Sequence, residues 1–149
     1  MVAVADYRRP ESVLVVVHTP KLDCLLLERV EPRGFWQSVT GTLGWAETAA
    51  ECAARELVEE TGLVPDGLRD AQVQHTFPIL PAWRSRYAPD VQSNLEHLWY
   101  LEVPEMRAVQ LAPGEHVAYL WLPVAAAIEK VAAWTNREAL QRLRDSRPA

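Results

Sequence analysis

Between Gly41 and Leu63 the chain reads GTLGWAETAAECAARELVEETGL, and few structures can accommodate that order of residues. Thr48 with Glu51 makes a capping box at a helix N-terminus, and Gly62 supplies the left-handed residue that closes a helix at Thr61. The spacing predicts a helix over residues 48–61. At ~100° per residue, Ala50, Ala53, Ala54, Leu57 and Thr61 fall in one arc, a stripe of small side chains able to press on a sheet. Glu56 and Glu60 lie one turn apart at the edge of that stripe, and Glu59 is the next neighbour outward. Three carboxylates thus share one flank. A solvated acidic face is the ordinary use of such a flank, but here two features oppose it. Like charges at i and i+4 repel, and acids in the last turn meet the wrong end of the helix dipole. A hard divalent cation such as Mg²⁺ reverses the sign, turning repulsion into oxygen ligation.

The rest of the chain reads as one unit, a single domain over residues 1–149 without repeats, low-complexity tracts or linkers. Residues 12–18 and 24–30 form β-branched or apolar runs joined by TPKLD, which predicts a hairpin. Further strands are expected at 36–40, 71–77, 95–103 and 117–122. Helices are expected at 123–134, opening on Pro123, and at 136–144, capped by Thr135 with Glu138. Between Phe77 and Asn94 a segment carrying Pro78, Pro81 and Pro89 is the candidate substrate-covering loop. Strands and helices alternate without a regular βαβ repeat, so the expected class is α+β, a mixed sheet flanked by helices.

Gly41, five residues, Glu47, seven residues, Arg55-Glu56-Leu57, one residue, Glu59-Glu60, one residue, Gly62-Leu63: in this order and spacing the stretch resembles the signature of the Nudix hydrolases. The resemblance implies an α/β/α sandwich with a mixed central sheet and hydrolysis of a diphosphate linked to another moiety, assisted by Mg²⁺ or Mn²⁺. A phosphoanhydride is anionic and repels an attacking water unless cations neutralise its oxygens and hold the reactants in line. Carried over by position, Glu56 and Glu60 are the principal metal ligands, with Glu59 contributing directly or through water. Arg55 pairs with Glu47 to fix the preceding loop, Gly41 lets the backbone approach metal or phosphate, and Gly62 is structural. The loop departs from the commoner family form at Thr42, Ala46 and around Gly44 and Trp45, which leaves the helix ligands untouched.

Outside the signature, YRRP at 7–10, FWQSVTG at 35–41, RYAP at 86–89, EHVAYLWL at 115–122 and WTNR at 134–137 are similar to a branch of that family that releases pyrophosphate from a pterin triphosphate in folate synthesis. That similarity implies substrate contacts from Arg8, Arg29 and Thr40, a metal ligand or base at Glu115, and His116 beside it. Among the aromatics, Trp36, Trp45, Phe77 and Trp83 are the candidates for stacking on a flat heterocycle, and Arg84 and Arg86 for covering phosphate or ring. Two other readings compete. One is a broad nucleoside triphosphate pyrophosphohydrolase; the other is a module that binds without turnover, which is expected to lose signature acids, whereas Glu47, Glu56, Glu59 and Glu60 are all present.

Charge separates partner classes. With 15 basic against 20 acidic residues and a net charge of −5, the chain lacks the clustered cations of a nucleic-acid surface. Its apolar runs are far shorter than the ~20 residues that span a bilayer, the N-terminal sequence has no secretory pattern, and two cysteines suit a reducing compartment. A cytoplasmic protein is expected, with no signal for its oligomeric state.

Overall fold

The computed structural model describes residues 6–146. Residues 1–5 and 147–149, and with them the start of the stretch read for a targeting signal and the two ends of the expected domain, lie outside the described residues. Seven strands, β1 (Glu11–His18), β2 (Asp23–Arg29), β3 (Trp36–Gln37), β4 (Val39–Thr42), β5 (Arg69–Pro78), β6 (Ser93–Glu102) and β7 (His116–Pro123), join in one mixed sheet. Helix α1 (Ala49–Thr61) covers one face, and α2 (Val124–Lys130) and α3 (Trp134–Asp145) cover the other.

β1 is the axis because its side chains are apolar on both faces. Val13, Val15 and Val17 pack with Leu57 and Ala53 of α1. Leu14 and Val16 pack with Ile128, Ala139 and Leu140 of α2 and α3. Such a strand is buried on both sides and reads as a continuous β-branched run. β6 runs parallel to β1 along its whole length, from Glu11 opposite Leu95 to His18 opposite Glu102.

The hairpin of β1 and β2 closes at Thr19–Asp23, where the Thr19 amide donates to the Asp23 carbonyl at 3.0 Å. The two strands pair only at His18 and Cys24 and then diverge. β4 follows β1 on one side of the gap, while β3 follows β2 on the other, with β7 along the outer edge of β2. The sheet therefore forks. Ser38, between β3 and β4, sits fully buried where the chain crosses from one prong to the other. Asn136 of α3 holds it twice: the Ser38 amide donates to Asn136 Oδ1 at 2.8 Å, and Asn136 Nδ2 donates to Ser38 Oγ at 2.9 Å.

Several expected boundaries move. The single strand expected at 36–40 is two strands with different partners, because the fork breaks it at Ser38. The helix expected at 123–134 ends at Lys130, with Val131 extended (φ −67°, ψ 141°). α3 begins at Trp134 after Ala133, which gives no side-chain cap, so Thr135 lies inside the first turn and not at the cap. The segment after Phe77 contains a 3₁₀ turn at Pro81–Arg86. Among the described residues no helix is long and apolar enough to cross a membrane.

Candidate active site

α1 starts and stops where local chemistry dictates. Thr48 accepts from the Glu51 amide at 3.1 Å and Glu51 accepts from the Thr48 amide at 2.9 Å. Gly62 at φ 74° returns its N–H to the Val58 carbonyl. The buried face of the helix includes Ala53, Leu57 and Thr61, together with Glu56 and Glu60, while Ala50 of the expected stripe is exposed.

Glu60 is only 1% exposed, and neither of its carboxylate oxygens has a hydrogen-bond partner among the described residues. Burial, then the neighbouring Glu56 and Glu115, push its pKa well above the usual carboxylate range. Glu56 is raised as well, chiefly by burial, with Arg55 opposing. An unpartnered buried carboxylate costs free energy that an oxygen-seeking cation would recover. A side chain at Gly41 on β4 would collide with the Glu56 carboxyl group, so the glycine makes room for that acid.

Arg55 ties the preceding loop to the helix. Its Nε and Nη2 donate to both oxygens of Glu47 at 2.7 and 2.9 Å, and Nη2 also reaches the Thr42 carbonyl at 3.2 Å. Its Nη1 donates to Glu56 at 2.8 Å and to the exposed Glu59 at 3.2 Å. This fork holds Glu47 down to about 2, while the Gly44 amide adds a bond at 2.9 Å. Arg9 secures the loop from outside, donating to the carbonyls of Gly44 and Glu47 at 2.9 and 3.0 Å. Arg9 escaped the sequence reading, which favoured its neighbour Arg8; a cation seated on backbone carbonyls leaves no residue pattern.

The mouth of the sheet fork brings the remaining candidates to Glu60. Arg29 pairs across β2 and β7 with His116. Its guanidinium lies 5.8 Å from the Phe35 ring centre and 5.5 Å from that of Trp83, and its Nε donates to the Glu31 carbonyl. Burial and the nearby charges of Arg86 and Arg8 lower its pKa, with Glu60 and Glu115 opposing. Arg8 is joined to Arg86 through a backbone bond of 2.8 Å. Three guanidinium groups thus gather beside the acids, an arrangement suited to a polyanion that brings its own counter-ion. His116 is buried, 3.6 Å from Glu60 and 3.3 Å from Gln37, and burial followed by Arg29 lowers it to about 4, so it is a neutral imidazole at pH 7. Glu115 is exposed, and its carbonyl accepts from Val30 at 2.9 Å.

Thr40 straddles the sheet. Its backbone amide favours the Glu60 charge, while its side chain stays on its own strand pair, donating to the Val13 carbonyl at 2.9 Å. Phe77 is not beside α1: its register with Asn94 puts it on the face covered by α3. Among the described residues no three carboxylate, imidazole or thiol groups converge closely enough to enclose an ion as they stand, and Glu56 and Glu59 each give an oxygen to Arg55. The donor set still fits a hard divalent cation, since all its members are oxygens and the most buried of them, Glu60, accepts no hydrogen bond within 3.5 Å among the described residues.

Residues 8–143 match the NUDIX domain. A relative from Escherichia coli K12 named dihydroneopterin triphosphate diphosphatase is 39% identical over 140 residues, covering 91% of this chain and 92% of the relative. A Haemophilus influenzae protein of the same name is 35% identical over 142 residues, covering 92% and 89%. The solved structure of the E. coli dihydroneopterin triphosphate pyrophosphohydrolase superposes with a TM-score of 0.85 at 38% identity, covering 91% of this chain and 95% of the other.

Proposed function

This chain belongs to the Nudix hydrolases, and from that premise we propose that it is a Mg²⁺-dependent enzyme, with Mn²⁺ able to substitute, that cleaves 7,8-dihydroneopterin triphosphate to the monophosphate and pyrophosphate. The observation that carries the substrate is the 39% identity, over nine-tenths of the chain, to a relative named for that activity. The chemistry rests on Glu60, a buried carboxylate with both oxygens unpartnered.

In this scheme Glu56, Glu60, Glu59 and Glu115 hold the cation, which supplies charge neutralisation and a lowered water pKa when bound. Arg8, Arg29 and Arg86 take the phosphate oxygens, where guanidinium forks match two oxygens at once. Arg55 and Glu47 keep the Gly41 loop and the Glu56 carboxyl in place. Glu115, beside Glu60 and Arg29, receives the proton of the attacking water. The water oxygen forms one P–O bond, the bridging P–O bond between the departing diphosphate and the monophosphate breaks, and both water protons end on products or solvent. His116, neutral and buried, positions Gln37 and Glu60 and does not act as a cation. Both cysteines are buried and unpaired, with burial raising each thiol to about 12, which supports a cytoplasmic setting.

The test is pyrophosphate release in Mg²⁺ from dihydroneopterin triphosphate, GTP and dATP side by side. The pterin substrate is expected to give the highest kcat/KM. A nucleotide preferred over it moves the enzyme to the broader triphosphate class, and binding without release overturns hydrolysis altogether.

A further inference from the structure

On the face of the sheet opposite α1, the sequence places polar residues where a core is expected. One register row crosses four strands: Thr42 on β4, Ser12 on β1, Glu96 on β6 and His75 on β5. In the next row along the same face, Thr40, Leu14 and Leu98, the two leucines already belong to the apolar cluster under α2 and α3. In the row on the other side, Asn94 donates to Ser12 Oγ at 2.8 Å and stands opposite Phe77. Glu96 is 8% exposed, yet among the described residues no cation pairs with it and no backbone amide donates to it. Its one polar partner is the side chain of Thr135 in the first turn of α3, and burial pushes its pKa up to about 7.

A carboxylate in the middle of a sheet, without counter-charge, is expensive to bury. Its one hydrogen bond among the described residues is to the Thr135 side chain and not to an amide of α3, so it does not cap that helix, and a glutamine or leucine would fill the space at lower cost. The position explains the expense. Among the described residues β4 pairs only with β1, so its other edge lines the open fork. Glu60 lies by the Thr40 amide on one face of that edge, and the row holding Glu96 begins at Thr42 on the other. From that edge the row leads from Thr42 to Ser12 and Glu96, both buried.

We propose that Glu96 is the residue that selects the ring, its carboxylate accepting the two adjacent N–H donors of a 2-amino-4-oxopyrimidine edge. This rests on the pyrophosphohydrolase reading and adds to it a specificity group that no cation-binding residue supplies. The edge offers an exocyclic amine and a ring N–H side by side, which two carboxylate oxygens accept in plane. Adenine offers one donor beside one acceptor and leaves one oxygen facing a lone pair. Phe77 is placed on the same face to bound the ring, which accounts for its distance from the acids of α1. Asn136 is not the reader, because both ends of its amide are taken by Ser38.

The experiment is Glu96→Gln, assayed with dihydroneopterin triphosphate, GTP and ATP in Mg²⁺ and melted in parallel. An amide accepts one N–H and donates one, so it fits adenine. The expected result is a fall of ~10²-fold in kcat/KM for dihydroneopterin triphosphate and GTP, carried by KM, with ATP unchanged or improved and no loss of melting temperature. An unchanged KM for the pterin substrate, an equal loss on all three substrates, or a lowered melting temperature overturns the proposal, the last because it makes Glu96 a structural group. If the wild-type enzyme prefers GTP over dihydroneopterin triphosphate, the substrate reading falls, while the GTP-to-ATP exchange in the variant still upholds Glu96.

Discussion

Replacing Glu60 by glutamine separates what that side chain costs from what it does. In chelator, the variant loses a buried carboxylate without hydrogen bonds, and it is expected to unfold at higher denaturant than the wild type, by about 1–3 kcal/mol. In Mg²⁺, its turnover is expected to fall at least ~10³-fold, about 4 kcal/mol of transition-state stabilisation, and Glu56→Gln should follow it. A destabilised Glu60→Gln with near-normal rate contradicts both halves. Glu96 gives a pH signature of the same kind. Its folded pKa, about 7, lies above the 4.5 of an ordinary glutamate, so its contribution is complete below about 4.5 and is lost as pH rises through 7. Urea titrations in chelator should show Glu96→Gln gaining on wild type across that window, by up to about 3 kcal/mol. A gap that narrows with rising pH contradicts the burial argument. The carboxylates of α1 were legible in the sequence because their repulsion had no local return. Glu96 was not, since a lone acid in an alternating strand reads as a solvent-facing position.

At the level of elements, α1 could be read almost to the residue, because its cap, its closing glycine and its carboxylates are all local. The strand at 36–40 could not, because its break at Ser38 comes from two prongs of the sheet claiming different halves. The spacing of Thr135 and Glu138 imitates a capping pair, but Ala133 holds the cap position and Thr135 turns inward in the first turn, where its side chain bonds Glu96. Two substitutions test how elements carry the site. Gly41→Ala puts a methyl group into the Glu56 carboxyl, and at least ~10²-fold loss of activity with little change in melting temperature is expected, since the flexible acid yields before the strand does. Activity near wild type would show that Glu56 is free to sit elsewhere. Asn136→Ala strips Ser38 of two buried hydrogen bonds, and chemical denaturation should register a loss of about 2–4 kcal/mol, against well under 1 kcal/mol if water replaces them.

For the whole molecule, the decisive feature is that the sheet opens into a fork, with the acids of α1 at its mouth. The acids of α1 and the arginines at positions 8, 29 and 86 are far apart in the chain and meet at the mouth of the fork, where β1 and β2 part company after one pair. The sequence identified most of these residues singly, through likeness to a family; their arrangement around a strand edge is a property of topology, invisible to spacing. A cation that binds the folded acids and not the unfolded chain should also raise the stability of the entire domain, a shift that Glu60→Gln abolishes. The most direct test of the central claim, that this carboxylate cluster grips a divalent cation for diphosphate hydrolysis, is calorimetric titration of Mg²⁺ into wild type and Glu60→Gln with pyrophosphate release measured on the same samples. Saturable binding and turnover in the wild type, both lost in the variant, are predicted; equal Mg²⁺ uptake by the two proteins, or turnover indifferent to the ion, would contradict it.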